Sequence, residues 1–122
     1  MNKAKRSGTE FESQIVRWLN SVFDTDEFMR LPLKGRYDSG DVGWLRRGGR
    51  KVVIEAKNCQ RLELSKWMQE AEEERGNADA LAKCVFVKRR GVGEARFADT
   101  YVVMEARDLI KIITGEELDD DC

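Results

Sequence analysis

Val52-Val53-Ile54-Glu55-Ala56-Lys57 is the stretch on which the reading of this chain turns. Its β-branched residues favour an extended strand. Side chains alternate faces along a strand, so Glu55 and Lys57 share one side, about 6.6 Å apart along the chain axis. Val52, Ile54 and Ala56 fill the other side. A carboxylate and an ammonium at the end of an apolar strand are costly to desolvate unless they are paired or bind a metal. From this strand alone, an edge-strand ion pair on a wet face explains them equally well.

Working outward, Arg46-Arg47-Gly48-Gly49-Arg50 reads as a basic hairpin turn, its glycines supplying positive φ angles. That turn makes residues 41–45 antiparallel to residues 51–57, and Asp41 then approaches Glu55 across the sheet. Two carboxylates at that spacing repel unless a cation lies between them. Carboxylate oxygens at ~2.0–2.1 Å are what magnesium takes. The simpler reading of Asp41 is a turn cap after Ser39-Gly40.

The flanks complete an α/β pattern. Ser7-Gly8-Thr9-Glu10 fits a capping box opening a helix, with Phe11, Ile15, Trp18, Leu19 and Val22 as its apolar stripe. Residues 28–33 predict a strand broken near Pro32, and residues 34–40 a glycine-bearing loop. Ser65 is placed to cap a helix running to about Arg75 and stopped by Gly76-Asn77. Cys84-Val85-Phe86-Val87 reads as a buried strand and residues 100–104 as a fifth. Residues 106–113 predict a last helix with Leu109, Ile110 and Ile113 inward and Gly115 as its stop. The order α-β-β-β-α-β-β-α implies a mixed sheet with helices packed on it. We expect a single domain over residues 1–115 and an acidic tail over residues 116–122.

Composition bounds the chemistry. A chain of 122 residues predicts one domain that needs no disulfides. It has no histidine, which excludes Ser-His-Asp and Cys-His nucleophiles, histidine-metal nucleases and ordinary catalytic zinc sites. Cys59, Cys84 and Cys122 are too far apart for a Cys-x-x-Cys knuckle and point to a reducing compartment. Carboxylates, lysines and a hard, oxygen-preferring metal remain. No apolar run approaches the ~20 residues of a membrane span, and no apolar signal core follows the N-terminus. The expectation is a soluble, cytoplasmic protein. The net charge of -1 hides an asymmetry: residues 1–61 hold 13 basic and 8 acidic side chains, residues 62–122 hold 9 and 15. The basic half keeps nucleic acid open as a partner. The run Glu70-Ala71-Glu72-Glu73-Glu74 and the acidic tail read as solvated faces.

Asp41 followed by Glu55-Ala56-Lys57 on the next strand resembles the signature of the PD-(D/E)XK nuclease superfamily. With the helical Glu10 and the α-β-β-β-α-β order, the chain is similar over roughly residues 7–105 to archaeal-type and phage Holliday junction resolvases. It departs at Gly40, where the signature often has proline, which implies a looser loop. The resemblance implies a restriction-endonuclease-like mixed sheet flanked by helices. It also implies a Mg2+-dependent DNA endonuclease, with Mn2+ as a substitute, that nicks four-way junctions in pairs as a homodimer. Asp41 and Glu55 would bind the metal with the Ala56 backbone carbonyl. Lys57 would orient or deprotonate water and stabilise charge on the phosphate. Glu10 would complete the site from the first helix and is also a possible metal ligand. Ser39 matches a substrate-contacting loop position.

Lys3, Lys5 and Arg6, then Arg30, Lys34 and Arg36, and Lys88-Arg89-Arg90 are the cations expected to hold DNA phosphates. Trp18 and Trp67 fit core faces, which leaves Trp44 as the tryptophan available to bases. Gln69 is a candidate support for the site. The host would be a bacterial, archaeal or phage-infected cell. The rival readings are a related nuclease acting on flapped, nicked or foreign duplex DNA, and a DNA-binding module that does not cleave.

Overall fold

The computed structural model describes residues 3–119, with side chains from residue 8 onward. The elements are α1 (Lys3–Phe23), β1 (Met29–Arg30), β2 (Val42–Gly43), β3 (Arg46–Arg47), β4 (Arg50–Lys57), α2 (Leu64–Ala78), β5 (Ala82–Val87), β6 (Tyr101–Val103) and α3 (Ala106–Thr114). Short 3-10 turns cover Gly35–Tyr37 and Glu94–Asp99. Together they form a mixed α/β structure, a six-stranded sheet in the order β1-β2-β4-β5-β6 with β3 paired to the start of β4. β4 and β5 are parallel and every other pairing is antiparallel.

The parallel pair explains α2. Parallel neighbours need a long crossover, and α2 supplies it between β4 and β5. These central strands are covered on both faces, so β5 is buried at every position and Val52, Val53 and Ile54 of β4 are all buried. α1 contributes Phe11, Ile15 and Leu19 to the main core, while α2 packs Trp67 and Ala71 against Val85 and Val87 in a second cluster.

Local rules misplace several boundaries. The helix α1 starts at Lys3, so Ser7 lies inside it rather than at its N-cap position. Lys3-Ala4-Lys5-Arg6 are strong helix formers that extend the helix without a capping box. Val22, in the last turn, is more than half exposed and lies outside the core. The hairpin turn narrows to Gly48-Gly49, because Arg46–Arg47 pairs with β4 as a strand. α2 runs through Gly76-Asn77 and ends at Asp79, whose φ of 50° is the left-handed cap; aspartate tolerates that region. Its N-cap position is Glu63, so Ser65 is already helical.

The largest difference is at α3, where Leu109, Ile110 and Ile113 are 42 to 63% exposed. Its inward face is instead Asp108 and Lys111, with Ile112 partly buried. The cause is Lys83 on β5, whose side chain is fully buried. Its ammonium is 2.9 Å from Asp108, 2.8 Å from Glu105 and 3.2 Å from Glu72. Burial alone would lower the pKa of Lys83, but these carboxylates outweigh it and raise it. A buried ammonium left unpaired would cost about 3–5 kcal/mol, more than leaving aliphatic side chains partly in water. The helix therefore turns its acids inward. Among the described residues no helix is long and apolar enough to cross a membrane.

Candidate active site

The site starts from a backbone constraint. Gly40 is buried with φ +112°, and a Cβ there would stand 3.0 Å from the Ile54 carbonyl oxygen. Proline, fixed near φ −65°, cannot occupy such a position. The loop is therefore pressed tightly onto β4, which corrects the expectation of a looser one. The next residue is fixed on both sides: the Asp41 N–H donates to Ile54 O at 2.8 Å, and its carbonyl accepts from the Leu31 N–H at 2.9 Å.

The Asp41 side chain then continues the ladder that β2 leaves unfinished. Its Oδ2 accepts from the Ala56 N–H at 2.8 Å. Strand geometry turns the Ala56 carbonyl toward the edge that carries its N–H, hence toward Asp41. Val42 pairs with Ile54, and one residue further Asp41 and Glu55 lie in hydrogen-bonding reach of each other. Glu55 also meets Glu74 of α2. It is only 5% exposed, and its Oε1 has no hydrogen-bond partner; Glu74 Oε2 is likewise buried and unpartnered.

Burial, then the neighbouring Glu55 carboxyl, pushes the Asp41 pKa up to about 8. Burial, then Glu74, pushes Glu55 to about 8 as well. Glu74 is raised in the same direction, first by burial. Three carboxyl groups thus share a space that tolerates their negative charge poorly. Lys57 lies beside them, its ammonium 2.7 Å from Glu70. Burial alone would lower its pKa, but Glu70 and Glu55 outweigh that and raise it.

These groups line a cleft of about 440 Å³. Glu12, Asp38, Asp41, Glu55, Glu70, Glu73 and Glu74 face it, against Arg36 and Lys57. Its wall at residues 36–38 is tied to α2 by Asn77, whose amide donates to the carbonyls of Arg36 and Asp38 at 2.8 Å each. Among the described residues no group of three or more Cys, Asp or Glu side chains is arranged to hold a metal ion by itself. A cation would take carboxylate oxygens, the Ala56 carbonyl and water.

Asp41, Glu55, Ala56 and Lys57 are brought together; Glu10 is not. It is exposed and pairs with Arg17 at 3.0 Å, beside the Glu94 that Arg17 also holds. Phe11 points into the core, so residues 10 and 12 fall on opposite shoulders of α1. It is Glu12 that reaches the cleft, paired with Arg30 at 3.0 Å.

The expected DNA-binding cations divide. Arg36 lines the cleft, whereas Lys34 and Ser39 line a second groove on the other side of their loop. Lys88 donates to the Val92 carbonyl, and Arg89 donates to the Asp99 carbonyl and lies 4.1 Å from the Tyr101 ring centroid, so both brace the β5–β6 connection. Arg90 is exposed. The side chains of Lys3, Lys5 and Arg6, and residues 120–122 of the tail, lie outside the described residues. Within the described tail, Glu117 pairs with Arg50 at 3.1 Å and Lys111 at 3.4 Å, so that part is not simply solvated. Gln69 faces a separate groove with Met68 and Glu105.

Reading the run 70–74 as a solvated face missed Glu70 and Glu74. Trp67 and Ala71 at i, i+4 are the buried line of α2, and Glu70 and Glu74 form the adjacent line turned to the cleft. That pairing was available in the spacing. The chain matches no protein-family model, no curated protein and no solved structure, so the geometry of this cleft carries the functional reading.

Proposed function

We propose that this chain is a divalent-metal-dependent DNA endonuclease of the PD-(D/E)XK type, acting on branched DNA as a Holliday junction resolvase. The observation that carries the reading is the pair Asp41 and Glu55. A buried carboxyl group on β4 and a partly buried one at the entry to β2 converge, one oxygen has no partner, and an ammonium stands two residues on. A fold does not retain such a charge conflict for stability, because apolar replacements would be cheaper. The element order and the β4–β5 parallel pair with its α2 crossover support the same reading.

The donor set fits a hard cation. It offers only oxygens, from Asp41, Glu55 and the Ala56 carbonyl, and the unpartnered Glu55 Oε1 is the kind of atom a cation satisfies. Mg2+ or Mn2+ there would supply a Lewis acid for the phosphoryl oxygens and a lowered pKa for attacking water. The chain's own groups do the rest. Lys57, fixed by Glu70, holds a positive charge where negative charge develops on the phosphate. The Ala56 N–H fixes Asp41, and the Asn77 clamp fixes the loop above it. Even with Asp41 and Glu55 protonated, five acids against two cations repel a bare phosphate backbone, so cations in the cleft favour DNA entry.

A resolvase makes symmetric cuts as a two-fold dimer. The apolar side chains that α3 leaves exposed, Leu109, Ile110 and Ile113, are what we assign to that pairing. The test of the substrate is affinity for a four-way junction against a linear duplex of the same sequence, in Ca2+ to prevent cutting. Preference for the junction is expected, and equal affinity overturns the resolvase assignment. Absence of cutting on every DNA in Mg2+ or Mn2+ overturns the broader one.

A further inference from the structure

Behind the loop that walls the acidic cleft lies a groove of about 310 Å³ with the opposite character. Met29, Leu31 and Leu45 give it apolar lining, and Lys34, Arg46 and Lys51 set three positive charges around it against the single acid Glu27. At its rim stands Trp44, 45% exposed, with the Arg46 guanidinium 4.3 Å from its ring centroid. The Trp44 backbone has φ +99°. A bulky residue is strained there where glycine would not be. The chain thus keeps a large aromatic in solvent, at a backbone position that disfavours it, between cations. Core packing does not explain that, because Trp44 belongs to neither core cluster.

We propose that this groove binds an unpaired nucleotide of a DNA strand, the base stacking at Trp44 and the flanking phosphates meeting Lys34, Arg46 and Lys51. The half-exposed Trp44 ring, with the Arg46 guanidinium over one face, matches a ligand that alternates planar bases with anionic phosphates, and aromatic stacking with basic flanks is how single strands are held without sequence preference. The groove adjoins the cleft through one loop: Lys34 and Ser39 line the groove, while Gly35, Arg36, Asp38 and Asp41 line the cleft. The cleft repels phosphate and the groove attracts it, so the groove anchors DNA beside the reacting bond. This inference rests on the nuclease reading and narrows its substrate to DNA that is unpaired next to the scissile phosphate, as at a branch point.

The test is binding of a short oligo(dT) to the full-length protein in EDTA, followed by tryptophan fluorescence and anisotropy. Binding should quench fluorescence, weaken as salt rises, and exceed that of an abasic oligomer of equal length. Trp44→Ala should weaken it about 10-fold and remove the quench, while Trp44→Phe keeps most of the affinity. Trp44→Gly relieves the backbone strain, so its melting temperature should be no lower than that of the alanine variant while its binding is equally poor. Lys51→Ala and Arg46→Ala should each lower the salt dependence. Equal affinity for the abasic oligomer, or oligo(dT) binding unchanged in Trp44→Ala, overturns the groove. Trp44-dependent binding by a protein that cuts no DNA leaves the groove standing and removes the nuclease. Cutting of branched DNA unaffected by Trp44→Ala leaves the nuclease standing and removes the groove.

Discussion

Glu55→Gln should make the metal-free protein more stable while destroying its proposed activity. Glu55 is 5% exposed, has one unpartnered oxygen and meets Asp41 and Glu74. Its pKa is pushed from 4.5 to about 8. At roughly 1.4 kcal/mol per pH unit, keeping it ionised in the folded chain at pH 8 costs on the order of 4 kcal/mol. Burial is the largest part of that cost and Glu74 adds to it, and the glutamine amide must itself be buried, although it can donate to both neighbours. About half of the cost, roughly 2 kcal/mol, should therefore return on substitution. For a domain this size that raises the melting temperature by roughly 5–10 °C. The folded state holds its carboxyl protons up to about pH 8, whereas the unfolded chain releases them near pH 4. Wild-type stability in EDTA should thus fall as pH rises between those limits, and the advantage of Glu55→Gln should shrink toward pH 5. Scanning calorimetry in EDTA at both pH values reads this directly. A variant no more stable than wild type at pH 8 refutes the account of a charge conflict.

Three further outcomes follow from the same geometry. Lys57→Ala should slow single-turnover cleavage on the order of a hundredfold or more, the usual loss for a positioned catalytic charge. Glu12→Gln should lower cleavage while Glu10→Gln leaves it near wild type, since only Glu12 faces the cleft; the reverse pattern would return Glu10 to the site. Gly40→Ala should destabilise the fold by about 1–3 kcal/mol, because alanine at positive φ is strained and its Cβ would crowd the Ile54 carbonyl oxygen; chemical denaturation measures it.

The sequence made the centre of this structure legible because two local rules agree there. Alternation along residues 52–57 separates Glu55 and Lys57 from the apolar face, and the glycine turn at 48–49 brings Asp41 alongside. The rest depends on partners far away in sequence. The inward face of α3 is decided by Lys83, 25 residues before Asp108, and an aliphatic stripe gives no warning of a buried ammonium beneath it. Glu10 and Glu12 are both plausible helix acids until the orientation of Phe11 against the sheet chooses between them. Gly40 looks like a flexible loop residue in sequence, and only the closeness of the Ile54 carbonyl shows that it is a packing requirement.

Single-turnover cleavage of an end-labelled four-way junction by wild type and Asp41→Asn, in Mg2+ and in EDTA, decides whether Asp41 holds a catalytic cation. Asparagine keeps an oxygen for the Ala56 N–H and removes only the charge, so the variant should fold and bind DNA. Wild type should cut in Mg2+ and not in EDTA, and Asp41→Asn should cut in neither. Cleavage that persists in the variant, or that proceeds without a divalent cation, would contradict that role for Asp41.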